Sequence, residues 1–167
     1  QLTVADVAIV AQTLLGLTGI AASIGEQPIK TIVDPCAGAR MSVGEAVTNL
    51  AACYIPGGLK KVKCSGNWMW APKLVGEGAA LYQACEAATE LMKLTGLAID
   101  GGKDSLTMAT KLFGEWIKSP RQLIVSTYAS IEDLWLNVTP DIKKPGESSL
   151  VLLDLAPGQY RLGGSAL

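Results

Sequence analysis

The sequence predicts a globular domain of mixed helix and strand structure, followed by the opening of a second one. Three observations point there. The chain has 167 residues, enough to bury roughly two-thirds of its unfolded surface in one core. Apolar residues make up 49% and charged residues 17% of it, a globular rather than a disordered balance. Short β-branched runs alternate with segments whose apolar residues recur at helical spacing, and no internal repeat stands out.

Residues 2–10 (LTVADVAIV) read as a strand covered on both faces, with Asp6 interrupting it. A carboxylate in such a run needs a partner, a cation or an opening to solvent. Residues 35–54 place Ala39, Val43, Val47 and Leu50 on one helical stripe. Asp34 and Pro35 start that helix, and Pro56, Gly57 and Gly58 end it. Residues 59–65 read as a strand leaving through a tight turn, Ser65-Gly66-Asn67-Trp68. Residues 78–95 read as a second helix burying Leu81, Cys85, Ala88 and Met92, with Gly96 as its stop. Residues 97–99 form a short strand feeding a polar loop, 100–105, and residues 122–131 form another strand. After a charged Pro- and Gly-bearing linker, residues 150–155 begin a new apolar strand. The division follows: residues 1–145 are one domain and residues 146–167 start the next.

Composition excludes several function classes. The formal net charge is -1 without a run of either sign, which argues against a nucleic-acid surface or a polybasic membrane anchor. Cys36, Cys53, Cys64 and Cys85 have no C-x-x-C spacing, so free thiols in the cytoplasm are the simplest reading. The absence of histidine removes Ser-His-Asp and Cys-His catalysis and any His-ligated metal. Residues 7–25 carry no charge, yet Gln12, Thr13, Thr18 and the glycines make a buried strand followed by a turn or helix a better reading than a membrane span.

Four constellations could carry chemistry. Glu45 and Asn49 stand four residues apart on one helical face, and with Asp6 they form a hard-oxygen set of the kind that holds Mg²⁺. The same spacing fits a solvated glutamate and a hydrogen-bonding asparagine. Gly101 and Gly102 precede Lys103, Asp104 and Ser105, where backbone N–H groups and a lysine suit an anion; an ordinary turn fits too. No P-loop and no G-x-G-x-x-G is present. Trp68 and Trp70 flank a Gly-Asn pair and suit either base stacking or core packing. The tail GQYRLGGS, with Arg161, suits a phosphate or a plain glycine-rich turn.

Read in order, the phrases TVADVAIVA, GEQPIKTIVDPCAGARMSVGEAVTNLAA, KCSGNWMWAPKLVGEGAALYQAC, IDGGKDSLTMA, LIVSTYA, VTPD and APGQYRLGGSAL resemble the large, single-chain phosphoribosylformylglycinamidine synthases across nearly the whole chain. That family is built from two halves related to aminoimidazole ribonucleotide synthetase, followed by a glutaminase domain. The segment is similar to the first domain of the second half. The resemblance implies an α+β fold, a mixed β-sheet with helices packed on one face, whose partner is the equivalent domain of the first half.

By motif, the resemblance makes Asp6, Glu45 and Asn49 Mg²⁺ ligands for a bound nucleotide (ATP or ADP), with Ala5 touching that nucleotide. Lys103, Asp104, Ser105 and Asn67 match motifs expected to face the nucleotide or substrate cleft. The family amidates formylglycinamide ribonucleotide with ATP and glutamine. Its histidine motif, a further metal-site Asp and the glutaminase cysteine have no counterpart in this chain, so the segment alone is expected to be inactive. Two roles stay open: part of a carbon–nitrogen ligase's cleft, or a non-catalytic scaffold holding ADP and Mg²⁺. The Cys and Gly-rich motifs of thiamine-phosphate or selenophosphate kinase-like relatives are not visible.

Overall fold

The β-branched runs pair into one sheet, and the two long amphipathic segments cover it. The computed structural model describes residues 5–159. In chain order the elements are β1 (Val7–Ala11), β2 (Gly19–Glu26), α1 (Pro28–Val33), α2 (Pro35–Leu50), β3 (Lys63–Met69), α3 (Glu77–Thr95), β4 (Ile99–Ser105), β5 (Ala109–Leu112), β6 (Glu115–Lys118) and β7 (Gln122–Ile131). The main sheet runs β1-β2-β7-β3-β4. Its neighbours are antiparallel except for parallel β3 and β4, so the sheet is mixed. β5 and β6 form a separate hairpin. The α+β architecture implied by the resemblance is the one observed.

Only one face of the sheet is covered. Along β7, Leu123, Val125, Thr127, Ala129 and Ile131 are buried, whereas Tyr128 on the opposite face is exposed. β2 repeats the pattern, burying Ala21, Ser23 and Gly25 and turning Ile20 and Ile24 outward. Helix α2 lies on β2 and β7, and α3 packs against α2. The core between them holds Val43, Ala46, Leu50, Leu123, Val125 and Trp70.

Local chemistry explains how α2 is placed. Asp34 caps it, its Oδ1 accepting from Cys36 N at 2.8 Å and Ala37 N at 2.9 Å, and Pro35 fills the first turn. Gly25 then lets the helix touch the strand backbone: a Cβ there would come within 2.1 Å of Ser42 O and 2.4 Å of Ala46 N. Ser23 Oγ closes the contact with a 2.6 Å bond to Ala46 O, and shares a second 2.6 Å bond with Thr127 Oγ1. Buried hydroxyls are tolerated here because both are paired.

Several sequence expectations need correction. β1 is not covered on both faces: it is an edge strand, with Val10 66% exposed, and Asp6 sits in the bend before it. Residues 7–25 do form a strand followed by a turn, but the turn leads into a second strand, β2, that pairs with β1. Residues 58–61 are a 3-10 turn, so β3 starts only at Lys63.

Ser65-Gly66-Asn67-Trp68 is the middle of β3, not a turn, and residues 100–105 belong to β4, not to a loop. The glycines serve close strand packing there, since a Cβ on Gly102 (φ 143°) would meet Gly66 O at 1.9 Å. The polar residues of β4 are admissible because it is an edge. On α3 the buried stripe is Ala80, Ala84, Ala87, Ala88 and Met92; Leu81 is half-buried and Cys85 exposed, because small alanines pack against α2.

The β5–β6 hairpin was not foreseen. Its two-residue turn uses Phe113 (φ 50°) and Gly114 (φ 90°), a positive-φ pair normally signalled by Asn-Gly. Residues 150–155 form no strand; Leu150, Leu152 and Leu153 are exposed, as expected of a strand without a neighbour to pair with. Arg161 and the tail's other predicted features from residue 160 onward lie outside the described residues.

The α2–β2 contact predicts a sign reversal between two glycines. Gly25→Ala pushes backbone against backbone and is expected to destabilise by about 1–3 kcal/mol. Gly44→Ala, in the interior of α2 with nothing within 4 Å of the added carbon, is expected to stabilise by roughly 0.5–1 kcal/mol. Urea unfolding midpoints of the two variants check both signs.

Candidate functional site

The fold brings Asp6 and Asn49 together. Asp6, exposed at the entry to β1, and Asn49, on the last turn of α2, line one cavity of about 230 Å³ with Ala5, Thr48, Val138 and Pro140. Asn49 is held from behind: its Nδ2 donates to Ile24 O at 2.9 Å. That fixes the amide so that Oδ1 is turned away from the strand.

Glu45 lies one helical turn earlier on the same face and is not part of that cavity's lining. Its Oε2 accepts from Glu26 N at 2.7 Å and Gln27 Nε2 at 2.8 Å. Both strand groups, Ile24 O and Glu26 N, lie past Ser23, where β1 stops pairing with β2. The side chains of α2 therefore supply partners that a longer β1 would have supplied. Among the described residues, no group of three or more His, Cys, Asp or Glu side chains is placed to hold a metal ion.

The second group of predicted residues sits at the opposite edge. Asn67 pairs in register with Lys103 on β4 and with Ile124 on β7, which places it on the uncovered face of the sheet. Lys103 Nζ donates to Ser105 Oγ on the same face. Asn67 Oδ1 is buried and has no hydrogen-bond partner among the described residues, an orphan acceptor of the kind that native structures rarely leave unfilled. Strand alternation turns Asp104 the other way, into a 320 Å³ cavity with Trp68, Leu81, Tyr82 and Cys85. The Lys-Asp-Ser run is thus divided between the two faces of the sheet. Four strand spacings separate β1 from β4, about 19 Å, so the two groups do not converge on a single phosphate.

One cluster escaped the sequence reading. Glu77, first residue of α3 and 2% exposed, is chelated by Arg121, with Nε to Oε2 at 2.9 Å and Nη2 to Oε1 at 3.0 Å, and it also accepts from Lys118 Nζ. Arg121 in turn lies over the Trp70 ring, 6.0 Å from its centroid. The Arg121 hydrogen bonds, opposed by burial and helped by Lys118, hold the Glu77 carboxyl down to about 2. The sequence signal was weak, because Glu77 stands 41 and 44 positions before Lys118 and Arg121 in the chain. None of the four cysteines forms a disulfide, and burial pushes the Cys53 and Cys64 thiols up, which keeps them protonated and unreactive.

Residues 1–130 match the family model described as the FGAR-AT PurM_N-like domain. The chain belongs to this family. It is 54% identical over its whole length to the probable phosphoribosylformylglycinamidine synthase, chloroplastic/mitochondrial, of Arabidopsis thaliana. It is 51% identical over its whole length to phosphoribosylformylglycinamidine synthase of Homo sapiens. In both cases the chain spans 12% of the relative's length.

Among solved structures, phosphoribosylformylglycinamidine synthase II of Thermotoga maritima superposes with a TM-score of 0.63 at 15% identity, over 81% of this chain and 21% of that one. The same bacterial protein has been solved in complex with ATP, with a TM-score of 0.61 at 17% identity, over 81% of this chain and 21% of that one. Thiamine monophosphate kinase of Aquifex aeolicus shares the fold at a TM-score of 0.52 and 13% identity, over 78% of this chain and 38% of that one. These likenesses show a shared fold. No helix among the described residues is long and apolar enough to cross a membrane.

The Glu77 cluster sets an acid limit on the domain. Its carboxyl titrates at about 2 when folded and at the ordinary 4.5 when unfolded. The stabilisation is therefore complete above the unfolded value and is lost as pH falls from the ordinary value toward the folded one. It amounts to at most about 3 kcal/mol. Thermal melts across this acid range are expected to show Glu77→Gln less stable than the parent at neutral pH, with the difference closing as the pH falls.

Proposed function

We propose that the chain is the part of a phosphoribosylformylglycinamidine synthase that carries one wall of a nucleotide–Mg²⁺ site. The whole enzyme converts formylglycinamide ribonucleotide, ATP, glutamine and water to formylglycinamidine ribonucleotide, ADP, phosphate and glutamate. The observation that supports this most is the shared cavity of Ala5, Asp6 and Asn49, with Asn49 Oδ1 freed by its bond to Ile24 O.

The donors suit the cation. Asp6, Asn49 and the Glu45 oxygen not engaged by Glu26 and Gln27 are hard oxygens, and Mg²⁺ takes a few such ligands while keeping waters and phosphate oxygens. Bound there, Mg²⁺ would neutralise phosphate charge. The chain's own residues orient the ligand set: Ile24 aims Asn49, Glu26 aims Glu45, and Ala5 sits where a nucleotide would lie against backbone. Asn67, Lys103 and Ser105 form a separate polar patch on the open sheet face, suited to an anionic ligand held between this sheet and a partner, which we take to be the equivalent domain of the first half. Asp104 opens instead toward α3. Residues 146–167 are the start of the following domain, which accounts for the exposure of Leu150, Leu152, Leu153 and Leu155. The free thiols suit the cytoplasm or another reducing compartment.

A second reading, an ADP–Mg²⁺ scaffold that does not turn over, is favoured by one observation. Glu45 and Asn49 both bond the backbone of β2, so a ligand pulling on them also stiffens the sheet. Asp6→Asn in the full-length enzyme separates the readings. The site reading expects weakening of Mg²⁺–ADP binding by at least about tenfold. A scaffold shows a lower melting temperature with turnover retained; a catalytic wall shows the reverse. Unaltered nucleotide binding would remove both. The 167-residue chain alone is expected to show no ammonia- or glutamine-dependent amidation.

A further inference from the structure

We infer that Gln27 and Lys30 are positioning residues for the Glu45 carboxylate, deciding which of its oxygens is left for a divalent cation. The inference rests on the reading of Glu45 as a metal ligand. Three hydrogen bonds carry it. Glu45 Oε2 accepts from Glu26 N at 2.7 Å and from Gln27 Nε2 at 2.8 Å, and Gln27 Oε1 accepts from Lys30 Nζ at 2.6 Å.

A glutamine amide can present either its oxygen or its nitrogen to a neighbour. Only the nitrogen suits a carboxylate. Lys30 settles the choice, because an ammonium has donors and no acceptor: its bond demands the amide oxygen and turns Nε2 toward Glu45. Both Gln27 and Lys30 are half-buried. Gln27 precedes α1 without capping it through its side chain, and Lys30 stands three residues on, within reach of it. No ion pair between Lys30 and Glu45 forms among the described residues, so Lys30 acts through the amide rather than by contact.

The consequence is directional. With two donors fixed on Oε2, the carboxylate cannot rotate without breaking both bonds, and Oε1 is the oxygen presented outward on the α2 face that Asn49 shares. Outer partners of this kind typically change metal affinity by about 10–100-fold.

The test titrates Mg²⁺ into the full-length enzyme saturated with ADP, with calorimetric readout. The binding component that Glu45→Gln removes defines the site. Gln27→Met is expected to weaken that component about tenfold or more. Gln27→Glu keeps the size but sets a carboxylate against Oε2, and should weaken it as well. Lys30→Met frees the amide to flip and should weaken it several-fold, whereas Lys30→Arg, which also donates without accepting, should restore it. ADP affinity without Mg²⁺ should stay within about twofold in all of them, which a merely destabilised domain would not give. Mg²⁺ affinity unchanged in both Gln27 variants, or Lys30→Arg as weak as Lys30→Met, overturns the positioning role while leaving the site. If Glu45→Gln removes no component, the site reading falls and the inference with it.

Discussion

The rest of the structure depends on the seating of α2 on β2. Gly25 has no side chain to hold the helix off, so the backbones meet at Ser42 and Ala46. Ser23 bonds Ala46 O across the contact. Once that distance is fixed, the polar side chains on the rim of α2 reach the strand: Asn49 takes Ile24 O and Glu45 takes Glu26 N. A helix set farther from the strand would leave those two backbone groups unpaired beyond the end of β1 and the two side chains without orientation. The candidate ligands are therefore also fasteners of the sheet edge, and any ligand that binds them couples to the fold.

That coupling gives physical content to the two functional readings. Charge is handled differently at the domain's two polar centres. At Glu77 the carboxylate is saturated by Arg121 and Lys118 and fixes α3 against the strand end and hairpin; with every strong acceptor used, it is a structural centre. Around Asp6, Glu45 and Asn49, bonding is incomplete: backbone and amide donors occupy one Glu45 oxygen, Asn49 spends its Nδ2 on the Ile24 carbonyl, and oxygen atoms of both are left outward. Incomplete bonding of hard oxygens beside a cavity is what a cation with waters and phosphates can finish. Asn67 Oδ1, buried without a partner on the open sheet face, is a third centre of the same unfinished type.

Much of this was legible in the sequence. The helix read over residues 35–54 announced itself through Asp34-Pro35 and a clean apolar stripe, although it stops at Leu50, and β7 through its β-branched run. Other elements misled for physical reasons. Gly66 and Gly102 look like turn residues, but here they allow two strands to approach, a long-range contact that local composition does not encode. β1 looked doubly buried because apolar content does not reveal that a sheet face is left open. Cys85 was placed inside since a stripe of larger residues was sought, whereas the alanines one position over make the contact with α2. For the site, i, i+4 spacing placed Glu45 and Asn49 on one face, and the carboxylate interrupting an apolar run singled out Asp6; the family motif gave the three a common role. Spacing could not say that Glu45 would face the β2–α1 junction or that Lys103 and Asp104 would point to opposite faces. Glu77 with Arg121 joins residues too far apart in sequence for any local pattern to pair.

The most direct measurement is a crystal structure of the full-length enzyme with ADP and Mn²⁺ in place of Mg²⁺, with the metal located by its anomalous scattering. The account predicts a peak about 2.1 Å from an Asp6 carboxylate oxygen and from Asn49 Oδ1, with Glu45 contributing the oxygen that Glu26 and Gln27 leave free. A metal found elsewhere, or one ligated with Asn49 Oδ1 turned away, would contradict it.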